Sequence, residues 1–259
     1  MSFTSQNEAD AIVKLVAAEA PAQIFSGLIL GRLVHADYAK TVAQAGDAVK
    51  IPKIGDAPQP PIVLKLEQET IQIPDVTKVL ESPDLLRTHM QPALSKIAGK
   101  IEPDVAALYS NFTANPPVGS LAPISETVID SAEALLFRAE VPPQDRFLVV
   151  SPGTFSAVRR IPHFNDANGK IRGFFVVQSE SIQKPSSTTY NMGFHSGALG
   201  LAVRRLPLHV PGIGAVAKYA EDGDFGVLIV MSSPPPSFIP QITVACLYGC
   251  AVIRNNFGV

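Results

Sequence analysis

The sequence is short of charge, of cysteine and of long apolar runs, and each shortage excludes something. Charged residues make up 17% of the 259 positions, hydrophobic residues reach 46%, and mean hydropathy is +0.21. An ordinary soluble domain is about 25% charged. With a formal net charge of −2, little repulsion holds copies apart, so the composition favours association. A protein that grips DNA needs clustered Lys and Arg to displace counterions. Here the basic pairs are Arg159-Arg160 and Arg204-Arg205, which read as solvated faces or inter-subunit ion pairs. Cys246 and Cys250 are the only cysteines. On a strand, four residues separate them by roughly 13 Å, too far for a disulfide, so they read as small buried hydrophobes and not as a redox or zinc pair. The uncharged stretch 238–253 contains Pro240 and Gln241 and falls short of the roughly 20 apolar residues of a membrane helix. Residues 1–10 have neither positive charge nor an apolar core, so no secretory signal is expected, and the reading is a soluble protein made inside the cell.

The length suits one large domain or two lobes sharing a core. No internal repeat or low-complexity tail is visible. What divides the chain is a change of period. Ile12, Leu15, Val16, Ala20, Ile24 and Leu28 follow helical spacing interrupted at Pro21, which predicts two short helices with a kink between them. From Gly46 to Ile54 the period becomes two. A bend rich in proline covers 55–61, and alternation resumes through Ile62, Leu64, Leu66, Ile71 and Ile73. These segments predict a long β-arm, which buries too little by itself and needs another surface to lie on.

Ser82-Pro83-Asp84 is a helix start, with a capping residue, a proline suited to the first position and an acid at the positive dipole end. Leu86, Met90, Leu94, Ile97, Ile101, Val105, Leu108 and Phe112 follow at steps of three and four. They predict one apolar stripe on a helix of roughly 45 Å, bent or broken at Pro92 or Pro103. The remainder reads as mixed helix and strand: helices from Ser125 to Arg138 and from Pro152, strands at Phe147 to Val150 and Phe174 to Val177, and helix or strand from Phe194 to Arg204. Two terminal strands, Gly226 to Met231 and Gln241 to Ile253, close the chain, the last of them central in a sheet.

Candidate chemistry is thin. Gly212-x-Gly214-x-x-Ala217 follows an apolar stretch and raises a dinucleotide site, yet the turn Glu221-Asp222-Gly223-Asp224 leaves no room for the required helix. Asp166-Ala167-Asn168-Gly169 resembles the start of a calcium loop without its bidentate carboxylate, and a plain turn fits better. Ser151 follows a strand but lacks the Gly-x-Ser-x-Gly elbow. His35, His89, His163, His195 and His209 are scattered without metal-ligand spacing. The expectation is a protein that is not an enzyme, with no catalytic residue, no cofactor and no metal.

Taken in order, several stretches resemble the tailed-phage major capsid proteins of the Hong Kong 97 fold, in the branch of the Salmonella podovirus coat proteins. They are 30–38 (LGRLVHADY), the Gly46-Asp47-Ala48-Val49-Lys50-Ile51-Pro52 lead into an extended arm, Gln91-Pro92-Ala93-Leu94 with Ile97 to Glu102 on a spine helix, 194–202 (FHSGALGLA) and 247–254 (LYGCAVIR). The resemblance implies an α+β fold with an N-terminal arm over 1–45, an extended β-hairpin loop over 46–80, and a spine helix of a peripheral domain over 81–117. It also implies an axial domain over 118–225 and terminal strands over 226–259 that return to the peripheral domain. As function it implies a major capsid subunit that self-assembles, as pentamers and hexamers, into an icosahedral phage head around double-stranded DNA. That DNA would be contacted non-specifically. A separate scaffolding protein and a portal would be partners, the virion the location, and the host bacterial cytoplasm the place of assembly, with no membrane involved. An encapsulin-like nanocompartment shell is the alternative on the same fold, and a nucleotide-binding enzyme resting on the Gly212 region is the alternative outside it. No Lys–Asn cross-linking pair can be matched.

Overall fold

The computed structural model describes residues 6–36, 43–49, 61–73, 76–114, 124–165, 167–182, 189–207, 215–223, 225–234 and 239–259. The Pro-rich bend at 55–60, Lys50, Lys53, the loop 115–117, Asp166, His209 and the glycines of the Gly212 pattern lie outside them.

Helix α1 (Gln6–Gly27) runs unbroken through Pro21, which corrects the two short helices expected there. The missing N–H of Pro21 costs one bond to the Ala17 carbonyl, but Ile12, Val13, Val16 and Ile24 are all buried. Packing of that face outweighs the lost bond. Within the span expected to form an N-terminal arm, α1 packs against helix α3 (Pro83–Ala106) and strands β9 (Val216–Asp222) and β10 (Phe225–Ser232).

The striped helix forms as expected: Leu86, Met90, Leu94, Ile97, Ile101 and Val105 are buried. It is shorter than predicted, because α-helical geometry stops at Ala106 and a 3-10 turn covers Ala107–Asn111. That change comes one turn after Pro103, while exposed Pro92 leaves the helix unbroken. A short helix, α2 (Val76–Glu81), precedes it.

Strand β11 (Gln241–Val252) is the centre of a five-stranded antiparallel sheet. On one side β3 (Lys65–Gln72) pairs with it from Tyr248 to Gln241. On the other, β10 pairs with its first half and β8 (Leu199–Arg204) with its second, and β9 pairs with β10. The surface that the predicted β-arm needed is thus β11 of the same chain, at least for β3. Nearby, β1 (Ala48–Val49) and β2 (Ile62–Val63) form a small antiparallel pair laid across β8 and β11. There Ile62 and Leu64 bury themselves against Ala202, Leu247 and Ile253. Gly249 permits this crossing, since a Cβ at that position would strike the Val63 carbonyl.

A second sheet has four strands in the order β5 (Lys170–Ile171), β6 (Phe174–Gln178), β4 (Arg146–Val150), β7 (Met192–His195). Strands β4 and β6 are parallel and flank helix α5 (Pro152–Val158) in sequence. Helix α4 (Glu126–Arg138) buries Ile129, Ala132 and Leu136. Strands β8 and β9 fall within 118–225 but pair in the other sheet, so the expected axial span covers parts of both. Main-chain bonds between Val259 and Gly193, 2.8 and 3.0 Å, join the segment after β11 to β7.

Candidate functional site

The residues weighed for chemistry resolve into structural roles. Ser151 is the N-cap of α5, its Oγ accepting the Thr154 N–H at 3.2 Å. Asn165 Oδ1 accepts the Ala167 N–H at 3.0 Å and Gly169 takes φ +60°, so 167–169 is a turn. His195 Nδ1 accepts the Gly197 N–H at 3.0 Å, its ring meets Phe257 edge-on, and burial holds its pKa below the usual histidine value. His163 contacts Glu126 at 3.0 Å. After the Gly212 pattern the chain enters strand β9, so no helix N-terminus stands there to receive a phosphate. No group of three or more metal-ligating side chains exists among the described residues. Cys246 and Cys250 are unpaired on β11, with burial pushing their thiols up to about 12 and about 11, inert as nucleophiles at neutral pH.

Polar side chains of α1, α3 and the five-stranded sheet are spent on holding these layers together. Arg87 on α3 pairs with Glu19 on α1, and this holds the Glu19 carboxyl below its ordinary range. Lys100 reaches Glu67 at 2.9 Å and Glu69 at 3.2 Å across to β3, and these contacts raise its pKa. Tyr248 donates to Asp104 Oδ2 at 2.6 Å, and Lys65 pairs with the same carboxylate. In the second unit Arg172, on the turn between β5 and β6, reaches Glu126 at 2.6 Å and Asp130 at 2.9 Å on α4.

One consequence is an inverted surface on β3. Its charged residues Lys65, Glu67 and Glu69 turn toward α3, while Leu66, Gln68, Thr70 and Gln72 face solvent. Thr70 Oγ1 and Thr243 Oγ1 meet at 2.8 Å on that outer face. Solvated strands of a monomer carry charge outward; β3 does the reverse, and its lateral edge has no partner strand among the described residues. Large apolar side chains are also exposed singly, Phe137 at 76% and Val63 at 62% foremost. Sequence reasoning found the alternation of β3 but not which face is covered, because Lys96 and Lys100 lie on a different element.

No family model and no curated protein matches the sequence. Solved structures do match in fold. The holo-SrpI encapsulin complex of Synechococcus elongatus aligns with TM-score 0.60 at 16% identity, over 88% of this chain and 84% of that one. A chain of Mycobacterium phage Che8 aligns with TM-score 0.58 at 16% identity over 90% of both chains. A virus-like particle from Pyrococcus furiosus aligns with TM-score 0.55 at 14% identity, over 96% and 97%. With α1 and spine helix α3 packed on the β11-centred sheet and a second α/β unit on the four-stranded one, the chain has the Hong Kong 97 fold.

Proposed function

We propose that the chain is the major capsid subunit of a tailed phage or prophage, assembling through copies of itself into an icosahedral head around double-stranded DNA. The observation that carries this is a fold likeness extending over about nine-tenths of both chains to a phage protein. The charge-free outer face of β3 and the 17% overall charge fit a subunit whose surface is covered by neighbours. In this reading the peripheral unit comprises α1, α3 and the five-stranded sheet, the axial unit comprises α4, α5 and the four-stranded sheet, and no residue is catalytic. The closer likeness to Salmonella podovirus coat proteins rests on the sequence motifs alone, and a scaffolding protein and portal remain part of the proposal.

A nanocompartment shell of the encapsulin kind is the second reading, favoured by one observation. The holo-SrpI encapsulin complex aligns over 88% of this chain with TM-score 0.60, as well as the phage chain does. Purified particles distinguish the two. Nuclease-resistant DNA of phage length inside them supports the head; a single co-purifying protein cargo without DNA supports the compartment. Monomers alone, by electron microscopy and light scattering with and without candidate scaffold, overturn both.

A further inference from the structure

A turn of three residues is bonded to both sheets. Ser196–Ala198, in 3-10 geometry, carries the chain from β7 of the four-stranded sheet to β8 of the five-stranded one. Its Ser196 N–H donates to the Asp145 carbonyl at 3.0 Å, just ahead of β4. Its Ala198 carbonyl accepts the N–H groups of Ile253 at 2.7 Å and Arg254 at 3.1 Å, just after β11. His195 is the N-cap of this turn, with Nδ1 accepting the Gly197 N–H at 3.0 Å. The same ring meets Phe257 edge-on at 5.6 Å, in the 3-10 turn Asn255–Phe257 that leads the chain back toward β7. One imidazole therefore touches both segments that pass between the sheets here.

Only a neutral ring with its proton on Nε2 makes this cap. In an imidazolium Nδ1 bears a proton as well, and two N–H groups then face each other. The surroundings also oppose the charge. Burial disfavours it most, and Arg146 on β4 and Arg254 after β11 repel it, while Asp145 attracts it. Arg146 is 3% exposed and is fixed by donating to the Val141 and Pro142 carbonyls, and Arg254 lies over the Phe257 ring. Asp145 is exposed, so solvent screens its attraction. The geometry points to a proton-operated latch: neutral His195 holds the turn Ser196–Ala198 closed, and protonation of the ring releases the bonds by which that turn ties the two sheets together. The ring binds its proton more weakly in the closed turn than when released, so acid favours release. The closed form is intact above the ordinary histidine value of about 6.5 and is lost as pH falls through its own lower value. In acid the two sheets are then free to change their relative angle, whether or not the chain stands in a shell.

The test is hydrogen exchange of the full chain, read by mass spectrometry between pH 8 and pH 5 and corrected for the intrinsic pH dependence of exchange. Segments 195–199 and 252–259 are expected to lose protection by about fivefold or more at the acid end, while the buried middle of α3 keeps its own. Unchanged protection at 195–199 overturns the latch, and so does an equal loss in α3, which is general acid unfolding. His195→Asn keeps an acceptor oxygen near the place of Nδ1 and does not titrate, so its protection is expected to stay high throughout. A loss in that variant as large and as pH-dependent as in wild type assigns the effect to another group and overturns the proposal. If the variant is loose at every pH, wild-type protein decides, because exchange of the His195 Cε1 hydrogen reports the ring's own titration. Its midpoint is expected below the ordinary histidine value and coincident with the loss of protection; separate midpoints overturn the latch.

Discussion

Glu102 is the residue whose environment is most at odds with its chemistry. It is 4% exposed on α3, its Oε1 accepts the Gly31 N–H at 3.1 Å, and Oε2 has no hydrogen-bond partner among the described residues. Burial raises its pKa above the ordinary carboxylate value, against the opposing effect of the backbone N–H groups of Gly31, Leu30 and Ile29. A carboxyl with a raised folded pKa favours the folded state while protonated, and that contribution is lost as pH rises through the folded value. Glu102→Gln removes the titration. Its melting temperature, minus that of wild type, is therefore expected to increase between pH 5 and pH 8; a constant difference would mean that Glu102 does not titrate in this window. Gly249→Ala is the second test at this scale. The added methyl collides with the main chain of β2, and overpacking of this kind costs about 1–3 kcal/mol, measurable by urea denaturation.

Among the elements, α3 carries the most burial and was the most legible in the sequence. Its stripe of Leu86 to Val105 depends only on local spacing, so the sequence reports it directly. Ile97→Ala, at a fully buried position, is expected to cost about 2–5 kcal/mol in chemical denaturation. Other features rest on partners distant in the chain. The continuity of α1 through Pro21 depends on strands β9 and β10, and the seat of β3 depends on β11, where Gln72 lies opposite Gln241. No local period reports such pairings. The exposure of Phe137 was equally hidden, since helical spacing alone does not tell a half-covered phenylalanine from an exposed one. Deleting residues 55–61 removes the Pro-rich stretch ahead of β2 and no residue of α1, α3 or the five- and four-stranded sheets. Such a variant is expected to melt cooperatively near the wild-type temperature yet fail to assemble, with calorimetry and electron microscopy as the paired measurements.

For the whole molecule, the two sheets share one chain end to end. Phe194 bridges Gly258, and Gly193 exchanges main-chain bonds with Val259, while β11 immediately before them organises the other sheet. Truncation after residue 252 is therefore expected to loosen the four-stranded sheet while leaving the five-stranded one paired, seen as selective loss of amide protection in β7 by hydrogen exchange. The central place of β11 also sets a clock. Strands β3, β8 and β10 all hydrogen-bond to β11, and all of them are made before it. During synthesis these segments precede their common partner, so the five-stranded sheet closes only after residue 252 has emerged. Until β11 arrives, β3, β8 and β10 have open edges, and non-local pairing of this kind is slow and exposed to aggregation.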